Sequence, residues 1–219
     1  MNAAELFAEH EDGSPMRFGR LHHGTAAAVV SARHYLKRSP SISHAFGLWL
    51  GGNLRGVITF GFPASHHLMV SACPESPGSV LELNRLWCDD ELPRNTESAF
   101  IARALAELPP SVVVSYADTS EGHVGYVYRA ANFRYAGWTD MDRKTPRFDY
   151  VVPGKHSRDA MRCGTFTRVR RLPKVKYWTV AGPTKRDRKR MLRMAAWPSM
   201  SWKDTPPPCE GVTVQEDGE

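Results

Sequence analysis

Most of the side chains best equipped for acid–base or anion chemistry lie in the window 81–138, with His34 and Tyr35 well upstream of it. Arg85 is a cation within LELNRLWC (81–88), among Leu81, Leu83, Leu86 and Trp87. A guanidinium in such company normally requires an acidic or phosphate partner, because an unpaired charge is costly to remove from water. Glu82 or a ligand would serve. Asp118 ends the apolar run VVVSYAD, at the strand end where open α/β sheets keep their ligands. Shielding there would move its carboxyl toward the working range of a general base, although Asp at such a position also caps helices. Tyr128 follows Gly125 by three residues and precedes Asn132 by four, so the three share a helical face. Its phenol would serve as proton donor to a leaving thiolate, or simply as a core tyrosine. His34 and Tyr35 are adjacent, about 100° apart on a helix, so only one of them is expected to reach a site, and His34 by itself reads as readily as a structural residue.

Between 92 and 98 the chain reads LPRNTES, a strand-to-helix junction. Free backbone N–H groups and the positive end of the helix dipole meet whatever occupies such a turn. Arg94, Asn95, Thr96 and Ser98 are therefore candidates for holding an anion such as pyrophosphate. Asn95 and Thr96 read equally well as plain N-caps, and Ser98 stands where a capping box after Asn95 would need Glu. The turn has none of the glycines that let a backbone wrap a pyrophosphate closely.

These side chains need elements to place them. The order predicted is strand (81–88), helix (92–108), strand (111–119) and a second helix (122–138). Upstream, GTAAAVVSARHYLKR (24–38) sets Ala28, Val29, Ala32 and Leu36 at helical spacing. Phe46–Leu50 and Arg55–Phe60 read as a hairpin around Gly51-Gly52-Asn53, residues that tolerate positive φ. The Pro-, Ser- and Gly-rich stretch 61–79 reads as a loop. Strands are expected near 147–152 and 175–180, and the Pro-rich, then acidic end reads as loose.

Charge divides the chain more sharply than hydropathy. Residues 1–140 hold 11 Lys and Arg against 14 Asp and Glu, whereas 141–219 hold 18 against 9. Residues 155–193 carry 14 basic side chains and only Asp159 and Asp187 as acids, with Phe166, Tyr177 and Trp178 among them. Basic residues mixed with aromatics suit phosphate contact and base stacking, and Arg168, Arg170, Arg171, Lys174, Lys176, Tyr177 and Trp178 are the candidates. A solvated basic face is the alternative. Cys73, Cys88, Cys163 and Cys209 have no C-x-x-C spacing and read as reduced, mostly inert thiols. His22-His23 and His66-His67 lack ligand geometry, so no metal site is assigned. There is no apolar run near 18 residues and no signal-like N-terminus, which makes a cytoplasmic protein without membrane contact the expectation.

Taken in order, HYLKR, GVITFGFP, ELNRLW, RNTES, SYADTSEGHVGYVYRAANF and YAGWT resemble the Mom family of phage DNA-modification proteins, over roughly residues 30–140 and more weakly beyond. The resemblance implies an α+β, GNAT-like fold, with a mixed, mostly antiparallel sheet flanked by helices and a basic C-terminal extension. Together with the charge split, the resemblance divides the chain into a catalytic core (1–152), a basic DNA-contacting extension packed on it (153–200) and a flexible tail (201–219). It implies conversion of adenine in DNA to a carbamoylmethyl derivative at the exocyclic amine, in the host cytoplasm, with protection from restriction. His34, Tyr35, Arg85, Ser98, Asp118 and Tyr128 match the family's proposed active-site positions, and Asn95 and Thr96 its phosphate turn. The donor implied is acetyl-coenzyme A or another acyl or glycine-derived compound, because simple acetyl transfer would leave an amide. Iron is conceivable, as is a homodimer. The alternatives are an ordinary GNAT-type N-acetyltransferase acting on a small or protein amine, and a catalytically inactive DNA-binding module.

Overall fold

The computed structural model describes residues 16–152, 162 and 166–204. One sheet of seven strands sets β1 (Met16–Arg20), β2 (His44–Leu50), β3 (Asn53–Gly61), β4 (Val80–Cys88), β5 (Ser111–Asp118), β9 (Lys174–Ala181) and β6 (Arg134–Trp138) side by side in that order. Every neighbouring pair is antiparallel except β4 and β5, which are parallel. A separate two-stranded ribbon pairs β7 (Phe148–Val151) with β8 (Thr167–Arg170). The helices are α1 (His23–Arg33), α2 (His66–Ala72), α3 (Thr96–Glu107), α4 (Tyr126–Ala130) and α5 (Lys185–Met194). This is the expected α+β arrangement of a mixed, mostly antiparallel sheet flanked by helices.

Side-chain alternation assigns the two faces of the sheet. Val113 of β5 and Tyr177 of β9 look toward α3, whose Phe100, Ile101, Ala104 and Leu105 form one buried stripe with Phe46, Ile58 and Phe60 of the first hairpin. Val112, Val114 and Trp178 look the other way and pack with Ala72 of α2 and Met191 of α5. Ala26 and Val30 of α1 cover Ala45 and Val57 on a third patch. The hairpin turns tightly because Gly51 and Gly52 sit at φ 56° and 81°, the left-handed values a two-residue turn requires.

Several expectations are corrected. The second helix predicted over 122–138 is only the five residues of α4, and 134–138 is a strand. Gly122 (φ 71°), Gly125 (φ 90°) and Asn132 (φ 60°) are left-handed on either side of α4 and interrupt helical continuation. The first helix ends at Arg33 rather than 38, with His34 extended at its C-cap (ψ 143°). Part of the predicted loop 61–79 is α2, capped by Ser65, whose side chain accepts from the Leu68 amide. The division at 152 does not hold either. β9 lies inside the sheet between β5 and β6, so the basic segment completes the core instead of packing upon it. Trp202, assigned to the tail, packs against the core with the Arg129 guanidinium 4.2 Å from its ring centroid. The first part of the basic segment, 153–161 and 163–165, and the rest of the tail from 205 lie outside the described residues.

Phe100 is fully buried and meets Phe18 edge-on at 5.9 Å. Phe100→Ala is expected to lower the unfolding free energy by roughly 3–5 kcal/mol, read by urea denaturation; a loss below about 1 kcal/mol would contradict this packing.

Candidate active site

β5 pairs with β9 along its whole length, from Ser111↔Ala181 to Asp118↔Lys174. With β4 it pairs only at Val80↔Val112, Leu81↔Val113 and Glu82↔Val114. Beyond Glu82 the two parallel strands separate, and the Ser115 hydroxyl bridges the start of the fork by donating to the Leu83 carbonyl at 2.9 Å. A cavity of about 430 Å³ opens there. Its walls are residues 82–86 of β4, 116–118 of β5, the segment 122–128, His34–Leu36 after α1, Glu97 of α3 and Lys174 of β9.

All five expected catalytic residues, His34, Tyr35, Arg85, Asp118 and Tyr128, line this one cavity. Arg85 is 9% exposed; its Nη1 donates to the Asn84 carbonyl at 2.5 Å, while its Nε is buried without a partner. Part of a buried guanidinium's donor capacity is thus unused beside the cleft, which fits an anionic or carbonyl-bearing ligand. The carboxylate of Asp118 meets the Lys174 ammonium at 2.5 Å and accepts from both the amide (3.2 Å) and hydroxyl (2.6 Å) of Ser120. Burial by itself raises its proton affinity, but the hydrogen bonds from Lys174 and Ser120 and the charge of Lys174 together outweigh it. The carboxyl is therefore held below the ordinary Asp value, opposite to the shift expected from the sequence. Glu82, considered only as a partner for Arg85, behaves otherwise: burial lifts its pKa, and the charges of Arg85 and Lys174 only partly restore it. The cleft thus holds one carboxylate kept ionised, Asp118, and two, Glu82 and Glu97, that burial makes retain their protons more readily, environments that separate an electrostatic role from a proton-transfer role.

Tyr128 is placed by its neighbours. Its ring lies 5.3 Å from that of Tyr177 and 5.4 Å from that of Phe133. Burial raises its pKa, and a hydrogen bond with Ser115 partly offsets this, so it holds its proton at neutral pH. Tyr177, a candidate for DNA stacking, is instead fully buried and donates from its hydroxyl to the Val124 carbonyl at 2.5 Å. Gly125 presses against the same ring, where any Cβ would collide. Tyr177 therefore fixes the segment that carries Tyr128.

His34 and Tyr35 both reach the cavity, contrary to the helical reading, because the chain leaves α1 before them. Their rings are 4.2 Å apart, and His123 approaches Tyr35 edge-on at 5.8 Å. The His34 Nδ1 accepts from the Leu36 amide at 3.2 Å, which leaves the proton of a neutral ring on Nε2. Burial lowers its pKa to about 4, helped by the charges of Arg85, His123 and Lys174. Burial, with the charge of Asp118 next, raises the Tyr35 phenol.

At the turn before α3, Asn95 occupies the left-handed position a glycine would otherwise fill (φ 71°), with no side-chain cap bond. The Thr96 hydroxyl donates to the Pro93 carbonyl at 2.7 Å and that of Ser98 to the Asn95 carbonyl at 3.0 Å. These hydroxyls are committed to the backbone. Any anion here would meet the amides at the start of α3 and the exposed Arg94.

The sequence profile of the Mom protein family matches residues 15–189. The chain belongs to the Mom family. A curated relative, methylcarbamoylase mom of Escherichia phage Mu, is 35% identical over 119 residues, covering 51% of this chain and 49% of the relative. The match thus spans about half of that relative's length. Among solved structures, a GNAT-family acetyltransferase from Bacillus cereus superposes with a TM-score of 0.44 at 12% identity, over 76% of this chain and 97% of that one. One from Streptococcus pneumoniae gives 0.44 at 9%, over 75% and 99%.

In this Mom-family chain the DNA candidates separate. Arg168 and Arg170 are exposed on the ribbon, and Arg171 is paired with Asp149 at its root. Lys174 faces the cleft, and Lys176 lies with its ammonium 5.6 Å from the Trp197 ring centroid. Trp178, like Tyr177, is corrected: it is buried, with its indole N–H donating to the Pro198 carbonyl at 2.9 Å. The cleft residues missed from sequence are Glu82, His123 and Tyr116, together with the role of Lys174. Lys174 was hidden because 56 residues separate it from Asp118. Among the described residues no group of three or more His, Cys, Asp or Glu side chains is arranged to hold a metal ion, so nothing there supports the iron that the sequence left conceivable. No helix among them is long and apolar enough to cross a membrane. Cys73 and Cys88 are free, and burial pushes the Cys88 thiol up to about 12. Cys163 and Cys209 lie outside the described residues.

Because the folded state lowers the proton affinity of His34, the unfolded chain binds the extra proton between pH 6.5 and about 4. Stability is therefore full above that window and falls as pH drops through it. In urea titrations at stepped pH, His34→Gln should lose less stability than the wild type over this interval; identical pH slopes would contradict the assigned burial.

Proposed function

We propose that this chain transfers a carbamoylmethyl group to the exocyclic amine of adenine in DNA, the activity its membership of the Mom family implies, and one in keeping with a phage Mu relative named as a methylcarbamoylase. The observation that carries the reading is the convergence of His34, Tyr35, Arg85, Asp118 and Tyr128, from separate parts of the chain, on the cavity between the forked strands. The donor is an acyl-coenzyme A-type or glycine-derived compound that carries its leaving group on the methylene carbon of a carbamoylmethyl unit, because a thioester whose thiolate leaves from the carbonyl carbon would deliver an amide instead. Arg85 and the Arg94–Ser98 turn would hold its anionic and carbonyl groups, and its methylene carbon would be the one attacked.

The remaining work falls to the chain's own residues. His34 and Tyr35, ring against ring at the cavity wall, offer a stacking surface and an imidazole N–H for the flipped or single-stranded base. Asp118, kept ionised by Lys174, orients the amine by accepting one of its protons in a hydrogen bond. The amine nitrogen forms its bond to the donor carbon as that carbon's bond to the leaving group breaks. The proton released from nitrogen passes to Glu82, whose burial gives it a higher proton affinity than Asp118, and Tyr128 protonates the departing group. Host-restriction protection would follow from the altered adenine, and the site of action would be the host cytoplasm.

Asp118→Asn and Tyr128→Phe preserve shape and should bind DNA as the wild type does. Nucleoside mass spectrometry of DNA from cells expressing them should show no modified adenine, where the wild type gives the carbamoylmethyl adduct. Full-level adduct with either variant ends the role assigned to that residue.

A further inference from the structure

We propose that the β7–β8 ribbon is the docking element for duplex DNA and enters the major groove beside the adenine to be modified. This rests on the reading of the chain as a DNA-modifying enzyme. The first observation is position. β9 begins at Lys174, the partner of Asp118 in the cleft. The ribbon's root is tied there: the Thr119 hydroxyl donates to the Pro173 carbonyl at 2.6 Å, and the Thr139 amide to the Lys174 carbonyl at 2.8 Å. Arg170 is four residues from Lys174, at most roughly 14 Å along an extended chain. The ribbon therefore springs from the rim of the cavity.

The second observation is the chemistry of one face. Directly opposed residues in an antiparallel pair share a face, and the register Phe148↔Arg170 and Tyr150↔Arg168 puts two aromatic rings and two guanidiniums together. Arg168 lies 3.6 Å over the Phe148 ring, a contact that orients a guanidinium without neutralising it. Every residue of β8 is exposed. Arg171 pairs with Asp149, and its amide donates to the Arg147 carbonyl at 2.8 Å, fixing the root and leaving the work of contact to Arg168 and Arg170. Lys144 is exposed on the approach, where Asp140 is taken up by Arg143 and Arg147.

The third step is complementarity. The major groove is about 12 Å wide and admits a two-stranded ribbon, and it is the groove in which adenine displays its exocyclic amine. A ribbon seated there brings the amine to the side of the duplex that faces the cleft. Guanidiniums suit both phosphates and guanine edges in that groove.

Fluorescence anisotropy of a labelled duplex tests this without catalysis, so its failure is told apart from failure of the modification reading, which nucleoside analysis of the wild type decides separately. Arg168→Ala/Arg170→Ala should weaken duplex binding at least roughly tenfold and flatten its salt dependence by about one unit per arginine, with an unchanged melting temperature. For the wild type, glucosylated 5-hydroxymethylcytosines, which fill the major groove, should weaken binding, and netropsin, which fills the minor groove, should not. Wild-type affinity in the double variant, displacement by netropsin with indifference to glucosylation, or equally tight binding of single-stranded DNA each overturns the proposal.

Discussion

The structure depends on the unequal commitment of β5 to its two neighbours. With β9 it exchanges a full antiparallel ladder, from Ser111 to Asp118. With β4 it pairs only from Val112 to Val114 and then parts. Backbone groups buried without partners are costly, so where β5 leaves β4 the groups on that edge must find other partners or face the opening. β9 keeps the other edge of β5 paired, and the Ser115 hydroxyl satisfies the Leu83 carbonyl where the fork begins. The cleft is thus the gap that opens where β5 keeps its ladder with β9, a strand of the basic C-terminal segment, and parts from β4.

That same strand sets the electrostatics. Lys174 stands opposite Asp118 in the β5–β9 register, and their ion pair puts a fixed dipole on the cavity wall. The cation depresses the proton affinity of Asp118 and also contributes to lowering that of His34, while Glu82, at the closed end of the fork, keeps an elevated one despite it. A strand that appears from composition to be a nucleic-acid contact instead contributes Lys174 to the cavity wall, and Tyr177 on it supports the loop that holds Tyr128.

The sequence made the cleft's inner wall legible and left its supports obscure. β4, α3 and β5 follow from strong apolar periodicity, and Arg85 and Asp118 stand out as charges at apolar sites, a signal that needs no partner to be recognised. Tyr177 and Trp178 were misread because aromatics between lysines in KVKYWTV suit a DNA-binding face and an alternating buried strand alike. Only the sheet order separates the two. The short α4 was overextended because the left-handed residues that break it, Gly122, Gly125 and Asn132, carry no apolar signal. α5 was missed beneath its charge, although the Thr184 hydroxyl accepts from the Asp187 amide at 3.0 Å in the spacing of a helix start. Lys174 and Asp118 meet only through tertiary structure.

The central claim is that a DNA adenine enters the fork between β4 and β5. Photo-cross-linking addresses it most directly: a duplex carrying 8-azidoadenine in place of one adenine is irradiated with the protein, and the attached peptide is identified by mass spectrometry. The account predicts attachment within 34–36, 82–86, 116–118 or 122–128, the walls of the cavity. Attachment confined to α5 or to the β1–β2 edge, with none in the cleft, would contradict it.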